Sequence, residues 1–101
     1  MVRVALLVRL LAKTGKEGEV AKFLEGALPA AQAETRTPVW FALRLNQREF
    51  AIFDAFADDA ARKAHLSGQI AAALMAKASE LLAEPPRIEQ VDVLAAKVSG
   101  G

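Results

Sequence analysis

The stretch EFAIFDAFADDAARKAHLSGQIAAALMAKASELL, from Glu49 to Leu82, joins the clearest strand pattern in the chain to its longest helical pattern with almost no loop between them. Such a junction fixes an element boundary before anything else is known. Along Glu49 to Phe56, Phe50, Ile52, Asp54 and Phe56 point to one side, and Ala51, Phe53 and Ala55 point to the other. Neither side suits bulk water, so the strand is expected to be covered on both faces. Asp58 or Asp59 then serves as N-cap, because a carboxylate there accepts unpaired amide protons and complements the positive end of the helix dipole. The boundary falls near Ala57. In the first turns Ala61, Ala64 and His65 share an inward face, while Asp59 and Lys63 form an i, i+4 pair outside. Ser67 and Gly68 interrupt the helix, since glycine in a helix interior costs about 1 kcal/mol relative to alanine. Beyond the break Ile70, Leu74, Ala78, Leu81 and Leu82 restore an apolar stripe. The only histidine, His65, therefore sits just before a bend.

The rest of the chain supplies partners for that strand. Val2 to Ala12 is apolar on both parities except for Arg3 and Arg9, as expected of a strand in the middle of a sheet. Thr14 to Glu17 spells T-x-x-E, read as a capping box that starts a helix. Val20, Phe23, Leu24, Ala27, Leu28 and Ala31 then fall on one helical face, and Pro29 predicts a kink or a restart with proline in its first turn. Glu34 to Pro38 is a polar connection. Val39 to Leu45 is a strand with Val39, Phe41, Leu43 and Leu45 on one face and Trp40, Ala42 and Arg44 on the other. Asn46 to Arg48 forms a hairpin turn. Pro85 and Pro86 stop the last helix, and Arg87 to Lys97 forms a final, more polar strand near an edge.

This order gives an α+β, ferredoxin-like βαββαβ fold with a four-stranded antiparallel sheet, as one domain over residues 1–98 and a frayed tail over 99–101. Helices cover one face of such a sheet. The strands are nonetheless apolar on both faces, and 53% of the residues are hydrophobic, so a homodimer through the bare face is expected.

Composition excludes several functions. The net charge is +1 with both signs interleaved, which leaves no electrostatic footprint for nucleic acid or an anionic membrane. The absence of cysteine removes disulfides, thiolate metal sites and thiol nucleophiles. The run VALLVRLLA is too short to span a bilayer and carries Arg9, so a cytoplasmic location is the default expectation. No nucleophilic triad, phosphate loop or zinc-ligand set is present, and no metal is expected.

The order of elements over residues 2 to 97, and more narrowly Phe53-Asp54-Ala55-Phe56, Ala60-Ala61 and His65-Leu66-Ser67-Gly68, resembles the antibiotic biosynthesis monooxygenase family of dimeric α+β barrels. In that family the third strand ends in an acid, a spacer and an aromatic, usually Glu and Trp, where this chain has Asp54 and Phe56. The resemblance implies a homodimer and, for some members, oxidation of small aromatic substrates such as anthrones or quinols by O2 without cofactor. Other members degrade haem. That pattern carries an asparagine in the first strand and a tryptophan after the third, and this chain has neither, although His65 lies where the group places its iron ligand. A tyrosine-based relay is ruled out because the chain has no tyrosine.

If the hairpin is centred on Gln47, Trp40 lies opposite Asp54 and Arg44 opposite Phe50, on the face that also carries Phe56; a two-residue loop would break that register. One reading is a pocket floored by Trp40, Phe50 and Phe56, with His65 as general base, Asp54 orienting it and Arg44 stabilising an anion. The other is that Asp54 and His65 satisfy each other in the core, Trp40 is packing, and the protein is a non-catalytic dimeric binder of small apolar ligands.

Overall fold

The computed structural model describes residues 1–98; the tail expected over 99–101 lies outside the described residues. Strands β1 (Val4–Leu11), β2 (Val39–Arg44), β3 (Glu49–Phe56) and β4 (Arg87–Asp92) form one antiparallel sheet in the order β2-β3-β1-β4. Helices α1 (Glu17–Gly26) and α2 (Leu28–Ala33) connect β1 to β2, while α3 (Asp59–Leu66) and α4 (Gln69–Leu81) connect β3 to β4. This is the ferredoxin-like arrangement, with β1 and β3 in the centre.

The local signals explain most boundaries. Asp58 is the N-cap of α3 and accepts from the Ala61 amide at 2.8 Å, and Asp59 pairs with Lys63 at 3.3 Å. Pro29 stands in the first turn of α2, where its missing amide proton leaves no bond unmade. The hairpin register pairs Trp40 with Asp54 and Arg44 with Phe50, as a turn centred on Gln47 requires. Asn46 stabilises that turn by accepting the Arg48 and Glu49 amides through its side-chain oxygen, each at 3.0 Å.

Three expectations are corrected. The Thr14-x-x-Glu17 capping box does not form: Lys16 is the N-cap, without a side-chain bond. The Lys16 amide instead closes a turn on the Lys13 carbonyl at 2.9 Å, with Gly15 at φ 87°. Thr14 and Gly15 thus belong to the turn, where glycine meets a positive φ that other residues avoid. The last strand ends at Asp92 rather than Lys97. One more bond joins the Val93 amide to the Arg3 carbonyl at 2.9 Å, and the partner strand β1 extends no further than Val4. Ala64, expected inward, is exposed, and its neighbour Arg62 is buried. The Arg62 guanidinium reaches inward to the carbonyls of Ala5 (3.2 Å) and Val91 (3.3 Å) and to Asp59 Oδ1 (2.9 Å). Those three acceptors satisfy a buried cation, which composition alone assigns to the surface.

The core lies between the sheet and the helices: Leu6, Val8 and Leu10 of β1 and Phe50, Ile52 and Phe56 of β3 meet Val20, Leu24, Ala61, Leu74 and Leu81. The opposite face carries Val39, Phe41 and Leu43 beside Phe53 and Leu7, by the register. Phe41 is 55% exposed there and Leu43 39%. No helix among the described residues is long and apolar enough to cross a membrane.

Candidate functional site

His65 comes from the last turn of α3 and projects toward the sheet, where Asp54 of β3 rises from the helix-facing side. Its ring is 7% exposed and the Asp54 side chain 0%. Nε2 stands 2.9 Å from Asp54 Oδ2. This is a close ion-pair contact that misses the direction of a good hydrogen bond, since neither Asp54 oxygen has a hydrogen-bond partner. On the other side, Nδ1 meets Glu34 Oε1 at 2.6 Å. Phe56 packs against the imidazole with ring centroids 5.3 Å apart.

Glu34 is the C-cap of α2. A short turn holds it in place: the Thr37 amide bonds the Glu34 carbonyl at 3.3 Å, and the Thr37 hydroxyl donates to Glu34 Oε1 at 2.7 Å. Glu34 also lies over Gly68, where a Cβ would come within 3.5 Å of Oε2 and 3.2 Å of the His65 carbonyl. Oε1 is committed to His65 and Thr37, which leaves Oε2 as the free acceptor.

Burial is the largest single influence on His65 and disfavours its charge, but the two adjacent carboxylates, Asp54 and Glu34, together outweigh it and raise its pKa from 6.5 to about 9. At neutral pH the ring is thus an imidazolium between two carboxylates. The sequence suggests an imidazole poised near neutrality; the second carboxylate, 31 residues away, changes that to a proton donor.

A groove of about 410 Å³ opens beside this group, lined by His65, Glu34, Arg36, Thr37 and Gln69 and walled by small residues such as Ala30 and Ala64. Arg36 is half exposed and only loosely paired, 3.7 Å from Asp58. The other residues singled out from sequence are placed differently. Phe50 and Phe56 are buried in the packed core, and Trp40 packs against it with a buried, unpartnered indole N–H. Arg44 lies four residues from Trp40 along β2, about 13 Å at the usual strand rise, with its guanidinium 4.7 Å above the Phe50 ring. The structure brings Asp54 and His65 together and sets Arg44 apart. Glu34 escaped sequence reading because it looks like one more polar residue in a connection. Nothing in its local pattern pairs it with a histidine 31 residues away.

The arrangement does not fit iron ligation by His65, because a metal needs a ring nitrogen lone pair and both nitrogens face carboxylates. The fold is one also seen in solved structures described as antibiotic biosynthesis monooxygenases. One solved structure of that name shares 11% identity with this chain at a TM-score of 0.77, over 91% of this chain and 99% of the other. Another, from Bacteroides thetaiotaomicron and described as a possible oxidoreductase, shares 12% at 0.76, over 91% and 98%. The NE2512 protein of unknown function from Nitrosomonas europaea is 57% identical over all of this chain and 98% of its own, with a TM-score of 0.98. The chain belongs to the same family as that protein. No protein-family model matches the chain, and no curated protein does.

Proposed function

We propose that this protein is a homodimeric, cofactor-independent monooxygenase that oxidises a small aromatic substrate, such as a quinol or anthrone, with O2. The observation that carries the reading is the imidazolium of His65 clamped between Asp54 and Glu34 at the wall of an open groove. An anthrone CH2 group, acidified through its enol, gives a proton to Glu34. The resulting anion passes an electron to O2, and the carbon radical and superoxide join in a C–O bond. Glu34 returns the proton to the peroxide, which loses water, so CH2 and O2 become C=O and H2O. His65 stabilises negative charge throughout, and Asp54 keeps the ring charged and oriented. Phe56 packs against the ring, Trp40 and Phe50 belong to the core behind it, and in one protomer Arg44 lies too far along β2 to touch the same substrate. The names of the distant structural neighbours support oxygen chemistry.

His65→Gln is expected to lower turnover of an anthrone or quinol, followed with an oxygen electrode, at least tenfold per folded molecule, because it removes the cation that stabilises the developing anion, a kind of loss that costs up to about 10²- to 10³-fold. Unchanged turnover per folded molecule with a lowered melting temperature would confine His65 to the core. The non-catalytic binding reading would then lead, favoured by the complete burial of Asp54.

The homodimer rests on the open sheet face, where Phe41 and Phe53 line an apolar recess with Val93 and Val98 and Leu43 is exposed further along β2. A second sheet packed there would remove this surface from water. Phe41→Asp alters an exposed side chain and should leave the protomer folded. It is expected to weaken the dimer on the order of 100-fold, because each copy enters a symmetric interface. Sedimentation equilibrium measures the change; a wild-type monomer at micromolar concentration would refute the dimer.

A further inference from the structure

We infer that the groove beside His65 selects a two-ended ligand, a planar hydroxy-aryl acid whose hydroxyl donates to Glu34 Oε2 and whose carboxylate pairs with Arg36. This deepens the reading proposed above and rests on the same groove. The first end follows from the hydrogen-bond inventory. Glu34 is 23% exposed, and its Oε1 already accepts from the His65 ring and the Thr37 hydroxyl. Oε2 lies near Gly68, 3.5 Å from where a Cβ would stand, and both residues line the groove; a carboxylate oxygen with open lone pairs calls for a donor. A hydroxyl supplies that donor, and one imidazolium shared between Asp54 and Glu34 leaves Oε2 a charged acceptor.

The second end follows from Arg36. Its guanidinium lines the groove and reaches only Asp58, at 3.7 Å, whose Oδ1 is already engaged by the Ala61 amide. A guanidinium so weakly held can take a ligand carboxylate in its fork. Between the two ends the walls are the methyl groups of Ala30, Ala33, Ala61 and Ala64. Small side chains make flat walls, which favour a planar ring system, and about 410 Å³ holds more than a single ring.

Titration calorimetry of the unmodified protein with 6-hydroxy-2-naphthoate, 2-naphthoate and 2-naphthol tests this without any turnover. The hydroxy acid is expected to bind about tenfold or more tightly than either single-ended compound, the usual worth of a hydrogen bond to a charged group. Glu34→Gln should erase its advantage over 2-naphthoate: the amide oxygen would stay with His65 and Thr37, turning an NH2 donor toward the groove. Arg36→Gln, on an exposed side chain, should erase its advantage over 2-naphthol. Equal affinity for all three compounds, no binding, or amide shifts centred on Phe41 and Val93 instead of Glu34 and Gln69 would overturn the inference. Selective binding without oxygen uptake would support it and overturn only the oxygenase reading.

Discussion

His65→Leu is expected to destabilise the protein by about 3–5 kcal/mol at pH 7, the usual penalty for leaving a buried charge without its partner. The reason lies with Asp54. Its side chain is wholly buried, neither oxygen has a hydrogen-bond partner, and its one counter-charge is the His65 ring at 2.9 Å. Glu34 is partly exposed and can turn toward water when the ring is lost. Asp54 cannot. The double variant Asp54→Leu/His65→Leu should therefore recover most of the loss, since replacing a buried ion pair by apolar groups of similar size is often neutral or stabilising. Urea unfolding of the wild type, both single variants and the double variant closes the cycle. A double variant as unstable as His65→Leu would mean that the lost packing of the imidazole, including its contact with Phe56, sets the cost rather than the orphaned carboxylate.

The same ion pair predicts a loss of stability in alkali. The folded-state pKa of His65 is raised from 6.5 to about 9, so the folded protein holds this proton more tightly than the unfolded chain does. Its contribution is fully present below about pH 6.5 and disappears as the pH rises through 9. The shift corresponds to about 3 kcal/mol. Most of that remains at pH 7, and almost none is left by about pH 10. The urea midpoint of the wild type should fall across this window, while that of His65→Gln should stay nearly level. Parallel curves for the two proteins would show that the ring is not held as a cation. The two predictions are linked, because the penalty of His65→Leu should itself shrink as the wild type loses its proton.

Several features were legible in the chain because neighbouring residues decide them. A period of two from Phe50 to Phe56, followed at once by Asp58, fixes β3, its inner face and the start of α3. The turn centred on Gln47 then sets the register that puts Trp40 opposite Asp54. Asp54 and His65 come from one continuous stretch, so the meeting of acid and imidazole could be anticipated from strand parity and helix phase. The Thr14 to Glu17 motif misled because the same residues also suit a turn, and the positive φ of Gly15 settles the choice.

What decides the chemistry of His65 is not local. Glu34 reaches it from the end of another helix. Arg62 is buried because the carbonyls of Ala5 and Val91, from two different strands, converge on it. Arg44 shares a face with Trp40 but not a site, since parity fixes the side of a sheet and says nothing about distance along it. Periodicity thus determined which way each side chain points. Only the packing of α2 against the α3–α4 break determined which charges meet, because the energy of a buried ion pair depends on groups that are remote in the chain and a few ångströms apart in space.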